Sequence, residues 1–119
     1  MNENVVKSKS FQFAVAITQC CWELFERKEY VLSKQLLRSG TSIGANIREA
    51  LSASSRRDFA YRLTISLREC DETMYWLELL HACNCPQNEQ YTVLHKSAKE
   101  LIKILTSIIK TTRETLTSK

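Results

Sequence analysis

Residues 91–112, YTVLHKSAKELIKILTSIIKTT, carry the most regular apolar pattern in the chain and decide its fold class. Apolar or small residues recur in alternating steps of three and four, and charged residues occupy other positions. That spacing places one apolar stripe along a helix, as in the seam of a helical bundle. The stripe consists of Tyr91, Leu94, Ala98, Leu101, Leu105, Ile108 and Thr112.

The rest of the chain also has helical spacing and few positions at which a helix must break. Its 119 residues include only two glycines and one proline, too few for the turns of a β-sandwich or an α/β fold. Pro86 marks a turn, and Ser55 with Asp58 resembles a capping box. Gly40 and Gly44 lie on or beside a buried helical row, where small residues let a neighbouring helix approach closely.

These patterns predict an all-α fold, an antiparallel up-down-up-down four-helix bundle. We expect a single domain over 1–119, because a chain of this length leaves little room for a second one. The predicted helices cover about 8–28, 33–54, 55–84 and 88–117, with Asn88 as the N-cap of the last one.

Composition points to a soluble protein that stays in the cytoplasm. Apolar residues make up 44% of the chain and charged residues 25%, the ordinary balance of a globular domain. No apolar run approaches the ~20 residues needed to cross a bilayer, and the N-terminal MNENVVKSKS lacks the features of a signal peptide. The five cysteines are odd in number and mostly lie within apolar helical patterns, which favours buried reduced thiols over disulfides.

Apolar residues exceed what one bundle core requires. The segment MYWLELL, residues 74–80, is apolar on nearly every side, whereas a core stripe needs only about three residues in seven. One interpretation is a thick core with some exposed aromatic residues, and the other is an interface between subunits. We predict self-association through an interface that includes Trp22, Tyr75, Trp76 and Leu79.

Polar residues also occur at helical spacing beside the predicted core. Arg38 and Asn46 on the second helix face Glu69 and Glu72 on the third if the two helices are antiparallel. Because an isolated buried charge is costly, we predict a buried polar network that joins these four residues. Di-iron bundles also bring carboxylates together, but the Glu-x-x-His motifs that they require are absent. We therefore assign no catalytic residue and expect no enzyme.

A second possible metal site combines His81, Cys83, Cys85 and His95. Such ligands suit zinc, but the C-x-C spacing is not the usual one and it straddles a helix end. We favour ordinary turn and core residues here. The chain also has no glycine-rich phosphate loop and no nucleophile elbow. We expect neither a metal nor a cofactor.

Basic residues cluster at the junction between the second and third helices. The chain has a net charge of +4, and Arg48, Arg56, Arg57 and Arg62 lie close together in sequence at this junction. They indicate either a solvated helix end or a surface that binds the phosphates of RNA or DNA. In a ring-like oligomer this modest cluster would become multivalent. A second, looser basic strip comprises Lys96, Lys99, Lys103 and Lys110.

Two segments, QLLRSGTSIGANIREA at 35–50 and residues 58–80, carry fairly specific motifs. They resemble the four-helix-bundle family named for proteins encoded in intervening sequences of bacterial 23S ribosomal RNA genes. The resemblance covers about residues 8–115. The first motif matches at Arg38, Ser39, Ser42, Ile43, Asn46 and Ile47, and the second at Glu69, Glu72, Thr73, Tyr75, Trp76 and Leu77.

The resemblance implies an antiparallel bundle that assembles as a homopentamer and has no catalytic activity. A related group of pentameric bundles serves diversity-generating retroelements by binding a reverse transcriptase and nucleic acid. Our leading hypothesis is a homo-oligomeric scaffold or adaptor that binds RNA or DNA. The alternatives are an assembly module with a protein partner and no nucleic-acid contact, or an accessory subunit of a reverse-transcriptase retroelement.

Overall fold

The computed structural model describes residues 2–85 and 88–117, which form four helices and no strand. They are α1 (Asn2–Glu26), α2 (Val31–Leu51), α3 (Arg56–Ala82) and α4 (Asn88–Thr117). Each helix packs against its two neighbours in chain order, and α4 closes the bundle against α1. In these residues no Cα pair within 8 Å joins α1 to α3 or α2 to α4, so those pairs lie on the diagonals. The predicted four-helix bundle is confirmed, with dimensions of 53 × 21 × 20 Å.

The helix starts differ from the predicted ones where a cap or a short apolar row was overlooked. α1 begins at Asn2 because its first turns already contribute the buried Val6 to the core. α2 begins at Val31, since the Glu29 carboxylate accepts a hydrogen bond from the backbone N–H of Ser33 at 2.9 Å. The Ser55 cap of α3 is present, and its hydroxyl accepts from the N–H of Asp58 at 3.0 Å.

The helix ends fall two or three residues before the predicted ones. α1, α2 and α3 end at Glu26, Leu51 and Ala82. Lys28 and Asn84 follow α1 and α3 with positive φ angles of 64° and 65°, a left-handed conformation that stops helix propagation. The predicted turn at Pro86 and the predicted N-cap side chain of Asn88 lie outside the described residues.

The core is built from the stripes that the sequence indicated. On α4 every member of the predicted stripe is buried except Tyr91, which is half-buried. The predicted inner row of α2 is buried at Leu36, Gly40, Ile43, Ile47 and Ala50, whereas its last predicted member, Ser54, is exposed and lies beyond the end of α2. Cys20, Cys21 and Cys70 join this core, and burial raises their thiol pKa values to about 11, 12 and 12. These cysteines are therefore neutral thiols in the folded protein.

Gly40 sets the distance between α1 and α2. A Cβ added at this position would lie 2.7 Å from Cγ2 of Ile17, which is closer than real side chains approach. A Cβ added at Gly44 would lie 3.4 Å from the Ser10 hydroxyl, an ordinary contact. The close approach predicted for this pair of helices therefore depends on Gly40 alone.

Small hydroxyl groups link α2 to α3 inside the bundle. The Thr73 hydroxyl donates to that of Ser39 at 3.0 Å, and the Ser66 hydroxyl donates to the carbonyl of Ile43 at 2.8 Å. All three hydroxyl residues are fully buried. The interior of this interface is thus uncharged, and its polar groups satisfy one another.

Candidate functional site

Arg38 forms an ion-pair cluster at the rim of the α2–α3 interface. Its guanidinium lies 3.5 Å from the Glu69 carboxylate and contacts that of Glu72. The Trp76 indole donates to the same Glu72 carboxylate at 2.9 Å. The Arg38 side chain is 50% exposed, so this cluster is not the buried network predicted from the sequence. Asn46 does not join it, because its amide donates to the Ser42 carbonyl at 2.8 Å.

The outward side of α1 is free of charge over several turns. Residues 10–22, SFQFAVAITQCCW, contain no charged residue. Trp22 is 60% exposed and Phe11 57% exposed on this side, and Val15 is exposed between them. We call Phe11, Val15 and Trp22 the α1 apolar face. Exposed apolar residues in an uncharged helical stretch are typical of a surface that another protein covers.

A second group of apolar side chains lies on α3, which we call the α3 aromatic patch: Tyr75, Trp76 and Leu79. Tyr75 is 57% exposed, while Trp76 and Leu79 are half-buried. The rings of Tyr75 and Trp76 meet edge to face with centroids 5.0 Å apart. Because α1 and α3 lie on a diagonal of the bundle, the residues that were predicted as one interface are two separate surfaces.

Of the four arginines at the α2–α3 junction, Arg62 is engaged by carboxylates. Its guanidinium lies 2.7 Å from Glu49 and 3.6 Å from Asp58. Arg57 is exposed and makes no ion pair with any described residue. Within the junction the positive charge is therefore partly neutralised.

Arg56 and Arg48 reach toward α1 in different ways. Arg56 lies 3.6 Å from the Glu3 carboxylate and 4.0 Å above the ring of Phe59. Arg48 lies 6.0 Å from the ring centroid of Phe11. These arginines share one end of the bundle, but their guanidinium groups have separate partners.

The outward side of α4 is positively charged. Lys96, Lys99, Lys103 and Lys110 are all exposed, and we call them the α4 lysine strip. None of the four forms an ion pair in the described part of the chain. The neighbouring acidic residue, Glu100, is bonded to Lys9 of α1 at 2.7 Å, and that hydrogen bond lowers the pKa of the Glu100 carboxyl. The acid that would offset the strip is thus neutralised from another helix.

Three rings meet where the lysine strip begins, and we call them the ring stack. Tyr91 lies nearly parallel to His81 with centroids 3.9 Å apart, and His95 on α4 lies 5.2 Å from Tyr91 with its ring tilted by 35°. His95 is held by Glu78 through a contact of 3.0 Å between its Nε2 and the carboxylate. A groove of about 510 Å³ runs past these rings, lined by Tyr91, Thr92, His95, Lys96, Lys99, Glu100 and Lys103.

The four residues considered for zinc are separated into other contacts. His81 and His95 belong to the ring stack, while Cys85 accepts a contact from Arg27 at 3.6 Å and Cys83 is exposed. In residues 2–85 and 88–117, no three His, Cys, Asp or Glu side chains are grouped as a metal site requires.

None of the helices in those ranges has the length and apolar character needed to cross a membrane.

The fold and its surfaces define a small antiparallel four-helix bundle with exposed apolar and basic sides. The model of the 23S rRNA-intervening sequence protein family matches residues 2–107. The chain belongs to this family, and the resemblance found in its α2 and α3 motifs is confirmed.

A solved structure agrees with this assignment. The chain is similar to a protein with unknown function from the S23 ribosomal protein family of Bacteroides thetaiotaomicron, at 54% sequence identity and a TM-score of 0.90. The alignment covers 92% of this chain and 99% of that one. A search of the curated proteins found no match. Neither the family description nor this relative supplies an enzymatic activity.

Proposed function

We propose that the protein is a non-enzymatic homo-oligomeric scaffold that binds RNA or DNA through its basic surface. The observation that carries the proposal is the separation of exposed side chains by type. The α1 apolar face and the α3 aromatic patch are suited to protein contacts, whereas the α4 lysine strip stays charged and unpaired. Aromatic residues favour interfaces, and clustered cations favour phosphates.

The positions of the two apolar surfaces favour head-to-tail contact between subunits. A two-fold dimer uses one patch on both subunits, whereas contact between two different patches generates a ring or a filament. The α1 apolar face and the α3 aromatic patch lie on diagonally opposed helices, so one subunit would present the first and its neighbour the second. The homopentamer expected from the family resemblance requires this head-to-tail arrangement, since an odd-numbered ring has no two-fold contacts between neighbours.

The Trp22 end of the α1 apolar face matches the α3 aromatic patch in height along the bundle. Cys21, beside Trp22, contacts the backbone of Ser33 on α2, and Ser39 contacts Thr73 on α3. Ser39 follows Ser33 by six residues on α2, and Leu79 follows Thr73 by six residues on α3. Because α2 and α3 are antiparallel, these two steps run in opposite directions along the bundle and cancel. Leu79 and Trp22 are therefore at about the same height. Subunits joined there need no rise along the bundle axis, a condition that a closed ring requires.

A ring joined through α1 and α3 would place every α4 helix on the same side. Each subunit then adds its four lysines to one continuous basic surface. Several weak phosphate sites on one particle increase the effective affinity, because the second and later contacts form within the same complex. A single subunit with a net charge of +4 would bind nucleic acid far more weakly.

The test is the mass of the purified protein in solution by light scattering, with and without short RNAs and DNAs. We expect a pentamer that gains mass with nucleic acid at low salt and loses it at moderate salt, since phosphate contacts depend on counterion release. A monomer would contradict the scaffold. A pentamer that is indifferent to nucleic acid would leave only the alternative, an assembly module for a protein partner.

A further inference from the structure

We propose that the groove along α4 is the site for single-stranded nucleic acid, with phosphates on the α4 lysine strip and a base stacked beside His95. This assignment rests on the proposed function and specifies which surface performs it. A positively charged groove combined with aromatic rings is the arrangement by which proteins hold single strands without reading their sequence. Here the groove brings Tyr91 and His95 together with Lys96, Lys99 and Lys103.

The lysine strip has the length of a short nucleic-acid segment. From Lys96 to Lys110 the helix rises about 21 Å, at ~1.5 Å per residue. A single strand laid along the helix would place several consecutive phosphates over this distance. Lysine is suited to such contacts because its ammonium group donates in any direction, so one strip accepts a flexible backbone in several positions.

The ring stack favours a single strand over a duplex. The bases of a duplex are already stacked on one another, whereas a single strand exposes them to an aromatic surface. His81 and Tyr91 are stacked, and His95, whose ring is tilted by 35° against Tyr91, lines the groove beside Lys96 and Lys99. Glu78 holds the His95 ring in place, so the surface is positioned before the ligand arrives.

The charges around the α4 groove favour it over the arginine junction. Glu49 and Asp58 engage Arg62, and Glu3 lies beside Arg56, so a phosphate there would compete with three carboxylates. In the α4 groove the one lining carboxylate is Glu100, and Lys9 already neutralises it. The ring stack lies at the end of α3 opposite the junction, so the two surfaces are separable by mutation.

The experiment compares two variants that each remove three positive charges. One is Lys96→Gln/Lys99→Gln/Lys103→Gln, and the matched variant is Arg48→Gln/Arg56→Gln/Arg57→Gln. Affinity for a fluorescent oligothymidylate of about 20 nucleotides and for a duplex of the same length is measured by anisotropy between about 50 and 200 mM salt. Thermal unfolding and light scattering verify that both variants remain folded and assembled.

We expect the lysine variant to bind the single strand at least about 30-fold more weakly at low salt. Its salt slope should fall by about 2, the loss expected from three contacts at ~0.7 each. The arginine variant should stay within about threefold of the unmodified protein with an unchanged slope. If instead the arginine variant loses binding and the lysine variant keeps it, the α4 assignment is overturned while the proposed function stands.

His95 tests the stacking part separately. We expect His95→Ala to weaken single-strand binding about 10-fold without changing the salt slope, and His95→Phe to restore it, because the ring and not the charge is required. Equal affinity of the unmodified protein for duplex and single strand, or failure of His95→Phe to restore binding, would refute the stacking. No binding to either probe at any salt would overturn the proposed function together with this site.

Discussion

α1 and α4 pack side by side, and their inward faces are both apolar while their outward faces differ in charge. Both bury an apolar stripe in the common core. Outward, α1 has no charged residue from 10 to 22, whereas α4 presents four lysines between 96 and 110. Core packing alone requires neither pattern, because a solvated helix face normally mixes both signs of charge with polar residues. The difference therefore separates two surfaces of different chemistry, to which the proposed function assigns different partners.

Placing a charge on the α1 apolar face should have the largest effect. We expect Trp22→Asp to raise the dissociation constant of the oligomer at least about 30-fold, since aromatic anchors at interfaces contribute about 2 kcal/mol or more. Because Trp22 is 60% exposed, the subunit itself should remain folded. Light scattering over a dilution series measures the dissociation constant.

Lys103→Ala on the α4 strip is the matched control for this prediction. It changes one exposed residue on the contrasting surface and should leave assembly unchanged. Equal dissociation constants for the two variants would remove the distinction between the α1 and α4 surfaces.

The inward side of α1 provides a second test, at the two glycines of α2. We expect Gly40→Ala to lower the free energy of unfolding by about 1–3 kcal/mol, because the new methyl group overlaps Ile17. Gly44→Ala meets only ordinary contacts and should raise it by up to ~1 kcal/mol through helix propensity. Denaturant unfolding of both variants, alone and with Ile17→Ala, which removes the Cγ atoms that the new methyl group overlaps, measures the effect.

If Gly40→Ala lowers the free energy of unfolding less in the Ile17→Ala background than in the unmodified protein, the strain lies at this contact. If both alanine variants stabilised the protein equally, α1 and α2 would have room that the structure does not contain. The inward side of α1 would then not be packed tightly against α2 at Gly40, and α1 would differ from α4 on its outward side alone.

The sequence predicted the fold class because helical periodicity is a local property. The α4 stripe and the inner row of α2 each recur at helical spacing, so their burial follows from the chain itself. The start of α1 was missed because Val5 and Val6 form an isolated apolar pair among polar residues, and the cap at Glu29 was missed because its carboxylate acts from outside the helix. Both errors concern the ends of helices, where periodicity carries the least information.

The surfaces were harder to predict, because they depend on how the helices are arranged. Spacing placed Arg38 near Glu69 and Glu72, but it does not determine how far a long side chain reaches toward solvent. The small hydroxyls of Ser39 and Thr73 occupy the interior that was expected to hold the charges. Likewise, only the topology reveals that Trp22 and the α3 aromatic patch lie on opposite diagonal helices.

The smallest effect is expected where the two contrasting helices are joined by charge, at Lys9 and Glu100. The hydrogen bond from Lys9 lowers the pKa of Glu100, so the pair stabilises the folded state above the ordinary carboxyl pKa of 4.5. That contribution disappears as the pH falls through the lowered pKa and the carboxylate is protonated. Both side chains are largely exposed, so solvent screens the interaction.

We therefore expect Lys9→Gln to lower the melting temperature slightly at neutral pH, and to match the unmodified protein once the pH is well below 4.5. The same variant frees Glu100 beside the α4 lysine strip, so it should also weaken binding of a single-stranded oligonucleotide by about two- to threefold at low salt. Melting curves across the pH range and anisotropy titrations measure the two effects. An unchanged oligonucleotide affinity would mean that Lys9 does not shield the strip from Glu100, and the electrostatic part of the contrast between α1 and α4 would then belong to the lysines alone.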